Sequence, residues 1–159
     1  MKVKIINDSM FPTPEYGTAG SSGMDLRADL SDLNELKVIG EFDGGYPTLY
    51  LHPQARAIIP TNLYIQLPPG YEAQVRPRSG QAFKKGLMVL NSPGTIDSDY
   101  TGNIGVIVAN YTDKVIEIAN GERIAQLVIS KYEKIDWEDV KVLDKTERGA
   151  GGFGSTGIK

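Results

Sequence analysis

The chain has 159 residues, enough for one domain, and its 40% hydrophobic content suits an ordinary core and excludes a disordered protein. The net charge of −3 excludes a positive coat for gripping nucleic acid non-specifically and leaves room for a local basic patch that holds a small anion. The absence of cysteine excludes disulfides and Cys-based zinc sites, and the one histidine, His52 beside Pro53, reads as a surface loop residue.

Residues 1–6 are too few and too charged for a signal peptide. No apolar run approaches the roughly 20 residues of a membrane helix, so a soluble cytoplasmic protein with no membrane partner is expected. Short runs rich in β-branched and aromatic residues predict strands over residues 3–6, 57–59, 63–67, 72–76, 104–110, 115–118 and 124–130. Pro68-Pro69-Gly70 and Tyr111-Thr112-Asp113 are turn sequences. Many short strands joined by turns predict an all-β sandwich or barrel. Helical pattern is scarce. Residues 79–86 carry a Ser cap, about two turns and a Gly stop. Leu33, Leu36 and Ile39 recur at helical spacing in a second candidate. Residues 148–157 hold five glycines and read as a mobile arm.

Three stretches can carry chemistry. Ser79 is either a helix cap or part of an anion site with Arg78, Lys84 and Lys85, and the two roles can coexist. In residues 91–100, Asp97 and Asp99 face the same way if the chain is extended. Two carboxylates beside Tyr100 can hold a metal or activate water; the alternative is a solvated turn. The terminal arm lacks the Gly-Lys-Ser/Thr ending of a phosphate-binding P-loop, and no helix can follow it as in a dinucleotide fingerprint. Its glycines let backbone wrap a phosphate, while Arg148 adds bidentate charge and Phe153 a stacking face.

Taken in order, these pieces resemble the trimeric dUTP pyrophosphatase family at five motifs. They are Ser22-Gly23-Met24-Asp25-Leu26-Arg27-Ala28, Arg76-Pro77-Arg78-Ser79-Gly80 with the following helix, residues 89–110, Gly121-Glu122-Arg123-Ile124-Ala125-Gln126, and residues 148–157. Residues 51–70 are also similar, so the resemblance covers most of the chain outside residues 30–50. It implies a distorted β-barrel or jelly-roll with one short helix over residues 1–147, and an arm, 148–159, that closes over the active site. It further implies a homotrimer whose active sites gather motifs from different subunits, with dUTP as substrate and no direct nucleic-acid partner. The reaction would yield dUMP and pyrophosphate, limiting uracil in DNA and supplying dUMP for dTMP synthesis.

By the same resemblance, Asp97 is the general base for a water that attacks the α-phosphorus in line. Mg2+ bridges the three phosphates, with no direct protein ligand and with Asp25 touching its water shell. Asn91 reads uracil in a hairpin pocket, with Gly94, Thr95, Ile96 and backbone near Gly105 also at the substrate. Tyr100 packs on the deoxyribose and leaves no space for a 2′-hydroxyl. Arg78, Ser79, Gly80 and Gln126 hold the phosphate chain. Phe153 covers the base, and Arg148, Gly154, Ser155 and Thr156 close the arm near the γ-phosphate.

The sequence departs from the family at Gln81, usually aliphatic, and at Asn62, often Gly. Asn tolerates left-handed backbone, so a turn at Asn62 is expected. Residues 30–50 are longer than the usual connection and are read as a surface excursion, or else as a docking surface for a protein partner. A dCTP deaminase of the same fold would need a Glu near Ile107, and no Glu occurs between Asp99 and Asn110. A rival of another class is a regulatory protein that responds to nucleotide and uses residues 30–50.

Overall fold

The computed structural model describes residues 1–31, 37–38, 41–42 and 48–152. Alternation of apolar and polar side chains builds most of the strands. The strand β1 (Lys4–Asn7) is followed by β2 (Gly23–Arg27), then two short strands, β3 (Lys37–Val38) and β4 (Glu41–Phe42). Next come β5 (Thr48–Leu51), β6 (Arg56–Pro60), β7 (Leu63–Gln66) and β8 (Tyr71–Pro77). The helix α1 (Ser79–Lys85) leads into β9 (Leu87–Val89), β10 (Gly94–Ile96), β11 (Gly105–Asn110), β12 (Ile116–Ala119) and β13 (Arg123–Lys131).

Among the described residues the strands form four sheets, ordered β1-β7, β10-β8-β13-β2, β3-β6-β11-β9 and β12-β5-β4. All pairings between them are antiparallel. The expected all-β architecture with one short helix is what forms, as separate packed sheets and not as a closed barrel. β11 shows the logic: Val106, Val108 and Asn110 point inward and Gly105, Ile107 and Ala109 outward, the period of two that a pleated strand imposes. The inward set meets Leu26, Leu49, Leu51, Ile59, Ile104 and Ile118 in one core. Each such side chain contributes about 1.5–3 kcal/mol by leaving water.

The seven expected strands all form, within a residue or two of the expected ends. Those not foreseen (β2, β3, β4, β5, β9, β10) are mostly too short for alternation to register. The helix at 79–86 also forms, but Arg78 takes the N-cap at φ −88° and no side chain caps it. Ser79 is therefore the first helical residue and not a cap. Gly86 ends the helix at φ 68°, left-handed backbone, and its N–H bonds to the Ala82 carbonyl at 3.1 Å.

The second helix candidate is overturned where it can be seen: Lys37–Val38 is strand, paired with Ile58 and Ala57. Leu33, Leu36 and Ile39 lie outside the described residues. The 30–50 stretch is also more than a surface excursion. Leu30 and Leu49 at its ends are core residues, and its strands β3, β4 and β5 enter two sheets. Asn62 does adopt left-handed backbone, at φ 52°.

Candidate active site

Two groups of side chains stand out beside β8. The first is a cavity of about 230 Å³ lined by Val75, Asn91, Gly94, Thr95, Ile96, Asp97, Tyr100, Asn103, Gly105 and Ile107. Seven residues assigned from the sequence, from Asn91 to Gly105, thus face one space. β10 and β8 form its floor, with Gly94 opposite Val75. Glycine at 94 makes room for Asn91: a methyl there would sit 3.0 Å from the Asn91 Nδ2. Asp97 leaves the end of β10 exposed to solvent and is the sole carboxylate of the lining.

The expectation of an extended Asp97-Ser98-Asp99 is not met. The chain turns there, and the Tyr100 N–H bonds back to the Asp97 carbonyl at 3.2 Å. A turn points the two carboxylates apart, and Asp99 is not part of the cavity wall. Tyr100 folds back along its own loop and donates its hydroxyl proton to the Asn103 carbonyl at 2.9 Å. Ile107, where a deaminase would need Glu, puts an aliphatic side chain into the cavity wall.

The second group is cationic. Arg78, Ser79 and Gly80 open α1, and Ser79 and Gly80 are exposed. Gln126 lies beside them on β13, opposite Arg76, and donates its Nε2 to the Pro77 carbonyl at 2.8 Å. Asp25 on β2 takes the Arg78 Nε at 2.6 Å and the Arg123 Nη1 at 3.1 Å. Both its oxygens are thus engaged by guanidinium groups, which argues against a direct metal bond from Asp25. Among the described residues no three His, Cys, Asp or Glu side chains gather.

Behind α1 runs a network that sequence reasoning missed. Gln81 is buried and donates its Nε2 to the Glu122 Oε1 at 2.8 Å and to the Arg123 carbonyl at 2.9 Å. Lys85 pairs with the same carboxylate at 2.5 Å. Burial pushes the Glu122 carboxyl up, but hydrogen bonds from Lys85, Gln81 and the Ala119 N–H, with the Lys85 charge, outweigh it and hold the group below its ordinary value. The one signal was Gln81 itself, a polar residue at a position usually aliphatic.

Within one chain the register sets Asp97 and Arg78 apart. Ile96 pairs with Ala73, so Asp97 lies near Glu72, six positions before Arg78. Six extended residues span about 20 Å. Arg148, in the arm, is exposed and bonds to the Gly151 carbonyl at 2.8 Å. Phe153, Gly154, Ser155 and Thr156 lie outside the described residues.

Comparison with known proteins places this geometry. A family profile described as dUTPase matches residues 47–157. The chain is 47% identical to the deoxyuridine 5′-triphosphate nucleotidohydrolase of Finegoldia magna, covering 99% of each. It is 43% identical to the enzyme of the same name from Fusobacterium nucleatum, covering 99% of this chain and 97% of that one. Its fold is similar to a Staphylococcus bacteriophage 80alpha dUTPase variant solved with dUpNHpp, at a TM-score of 0.80 and 25% identity over 99% of both chains. With a profile over most of its length and relatives matched end to end, the chain belongs to the dUTPase family.

Proposed function

We propose that the protein is a dUTP diphosphatase that cuts dUTP to dUMP and pyrophosphate in the cytoplasm. The observation that carries the reading is the convergence of Asn91, Gly94, Thr95, Ile96, Asp97, Tyr100 and Gly105 on one cavity. Its wall sets the apolar Val75, Ile96 and Ile107 and the Tyr100 ring beside the polar Asn91, Thr95, Asp97 and Asn103, a mixture that suits a base and a sugar. Asn91 offers a carboxamide donor and acceptor to the uracil edge, which disfavours cytosine by mismatch. The Tyr100 ring packs against the deoxyribose.

Asp97 takes a proton from a water molecule as that water attacks the α-phosphorus. A new oxygen–phosphorus bond forms, the bond to the bridging oxygen breaks, and pyrophosphate leaves. Arg78, Ser79, Gly80 and Gln126 hold the phosphate chain. In one chain Arg78 lies about 20 Å from Asp97 along β8, so a complete site takes its arginine from a second copy. That separation supports sites shared between copies, as in the homotrimer that the family resemblance implies. Magnesium, held by the triphosphate, would neutralise phosphate charge, with Asp25 orienting Arg78 and standing near the metal's water shell. The arm, residues 148–159, closes last: Arg148, Gly154, Ser155 and Thr156 meet the γ-phosphate end and Phe153 covers the base. Residues 30–50 remain the candidate contact for a protein partner.

The deciding experiment measures pyrophosphate release from dUTP, UTP, dCTP and dTTP, with magnesium and after its removal by chelator. Turnover of dUTP far above the others, lost without magnesium, is expected. Ammonia release from dCTP would overturn the reading in favour of a deaminase.

A further inference from the structure

The loop that carries Tyr100 is tied to a turn elsewhere in the chain, and the tie uses Asn62, at a position where the family often has glycine. The β6–β7 turn places Thr61 and Asn62 against Asn103 and Ile104. The Asn62 N–H donates to the Asn103 Oδ1 at 3.1 Å, and the Asn103 Nδ2 donates to the Asn62 Oδ1 at 2.8 Å. This reciprocal amide pair is flanked by two more contacts. The buried Thr61 hydroxyl donates to the Ile104 carbonyl at 2.7 Å, and the Ile104 N–H donates to the Leu63 carbonyl at 2.9 Å. Left-handed backbone at Asn62, φ 52°, aims its side chain into the pair. Glycine could hold that backbone but could not supply the acceptor.

Asn103 is also what Tyr100 rests on, since its carbonyl accepts the phenol proton at 2.9 Å. Gly102 completes the seat. A methyl there would fall 2.6 Å from the Tyr100 hydroxyl oxygen and 2.7 Å from Cζ, inside contact distance of the ring. Gly102 therefore lets the ring lie flat along its own loop. Tyr100 and Asn103 both line the cavity. Tyr100 is itself partly exposed, so packing alone does not fix it, and the hydrogen-bonded seat must.

We infer that Asn62, Gly102 and Asn103 are positioning residues that hold the Tyr100 ring against the sugar and so set the preference for a 2′-deoxyribonucleotide over a ribonucleotide. The inference rests on reading this cavity as the uridine pocket. A ring free to swing away would admit a 2′-hydroxyl. A ring pinned from the β6–β7 turn would not, because rejection by shape needs a wall that does not yield. Asn62 touches no substrate in this account and acts only through Asn103.

The test compares kcat/KM for dUTP and for UTP in the full-length protein and three variants, with thermal midpoints alongside. Asn62→Gly keeps the left-handed backbone and removes only the acceptor. Asn62→Asp keeps both backbone and acceptor. Gly102→Ala pushes the ring off its seat, at a point where the ring is free to give. For Asn62→Gly and Gly102→Ala, the dUTP/UTP ratio should fall about fivefold or more, the order of one lost hydrogen bond, through a gain on UTP while kcat for dUTP stays within about twofold. Asn62→Asp should restore the wild-type ratio. An unchanged ratio in Asn62→Gly and Gly102→Ala overturns the inference while leaving the pocket intact. So does an equal loss in Asn62→Asp, which would detach the effect from the acceptor. A wild type that does not prefer dUTP over UTP sinks the pocket reading itself, and the inference with it.

Discussion

Asp97 reaches the cavity because β10 ends at Ile96 and the chain turns at once, leaving the carboxylate on the rim beside Tyr100. A base that only moves a proton can be removed without emptying the pocket. Asp97→Asn should lower kcat by about a hundredfold or more and leave the affinity for a non-hydrolysable dUTP analogue within a few-fold, read by single-turnover rates and titration. Retained turnover would strip Asp97 of its role. Tyr100→Ala should raise UTP use relative to dUTP, checked by the same kcat/KM pair. Asp97, Asn91 and Tyr100, which line one cavity, could be nominated from sequence because their residue types in that order carry the family resemblance. Asn103 was not: its side chain pairs with Asn62, some 40 positions away, and no local pattern encodes such a pair.

At the scale of elements, α1 is short and depends on its ends and on what lies behind it. Gly86 adopts φ 68°, and a Cβ there would strike the Thr112 methyl. Gly86→Ala should therefore cost about 2 kcal/mol of stability, read by chemical unfolding. Glu122 gives the helix its pH dependence. A carboxyl held below its ordinary value stabilises the fold fully above the unfolded pKa and loses that contribution as pH falls through the folded one. Glu122→Gln should thus be less stable near neutrality by about 1 kcal/mol, discounted because Lys85 is partly exposed, and the difference should shrink as pH falls from the ordinary carboxylate range through the lower folded value. Thermal midpoints from neutral to acid pH check it; parallel curves would refute it. The helix and the longer strands could be read from sequence because Gly stops and two-residue alternation are local signals. The three-residue strands β9 and β10 could not, since each owes its pairing to a neighbour distant in the chain.

At the scale of the whole molecule, the separation between Asp97 and Arg78 along β8 makes the proposed sharing of sites testable. If each site borrows cations from a second copy, two inactive chains can repair each other. Asp97→Asn chains refolded together with Arg78→Ala chains should regain dUTP turnover, while each alone stays inactive; no recovery would mean that one chain builds the site. Surface left uncovered agrees with such an assembly: Trp137, Val142 and Leu143 are each more than 80% exposed. Removing residues 148–159 should lower kcat/KM for dUTP about tenfold or more and leave the thermal midpoint of the body nearly unchanged.

Residue types and short spacing along the chain were enough to determine the all-β class and the helix that follows Arg78, and to nominate Asp97 and Asn91 as site residues. Other features came only from the tertiary structure. They include the ion pairs that engage Asp25, the buried Gln81–Glu122 network, the Asn62–Asn103 seat under Tyr100 and the distance between Asp97 and Arg78. All of these are set by which strands lie side by side, and that neighbourhood exists only once the sheets have packed.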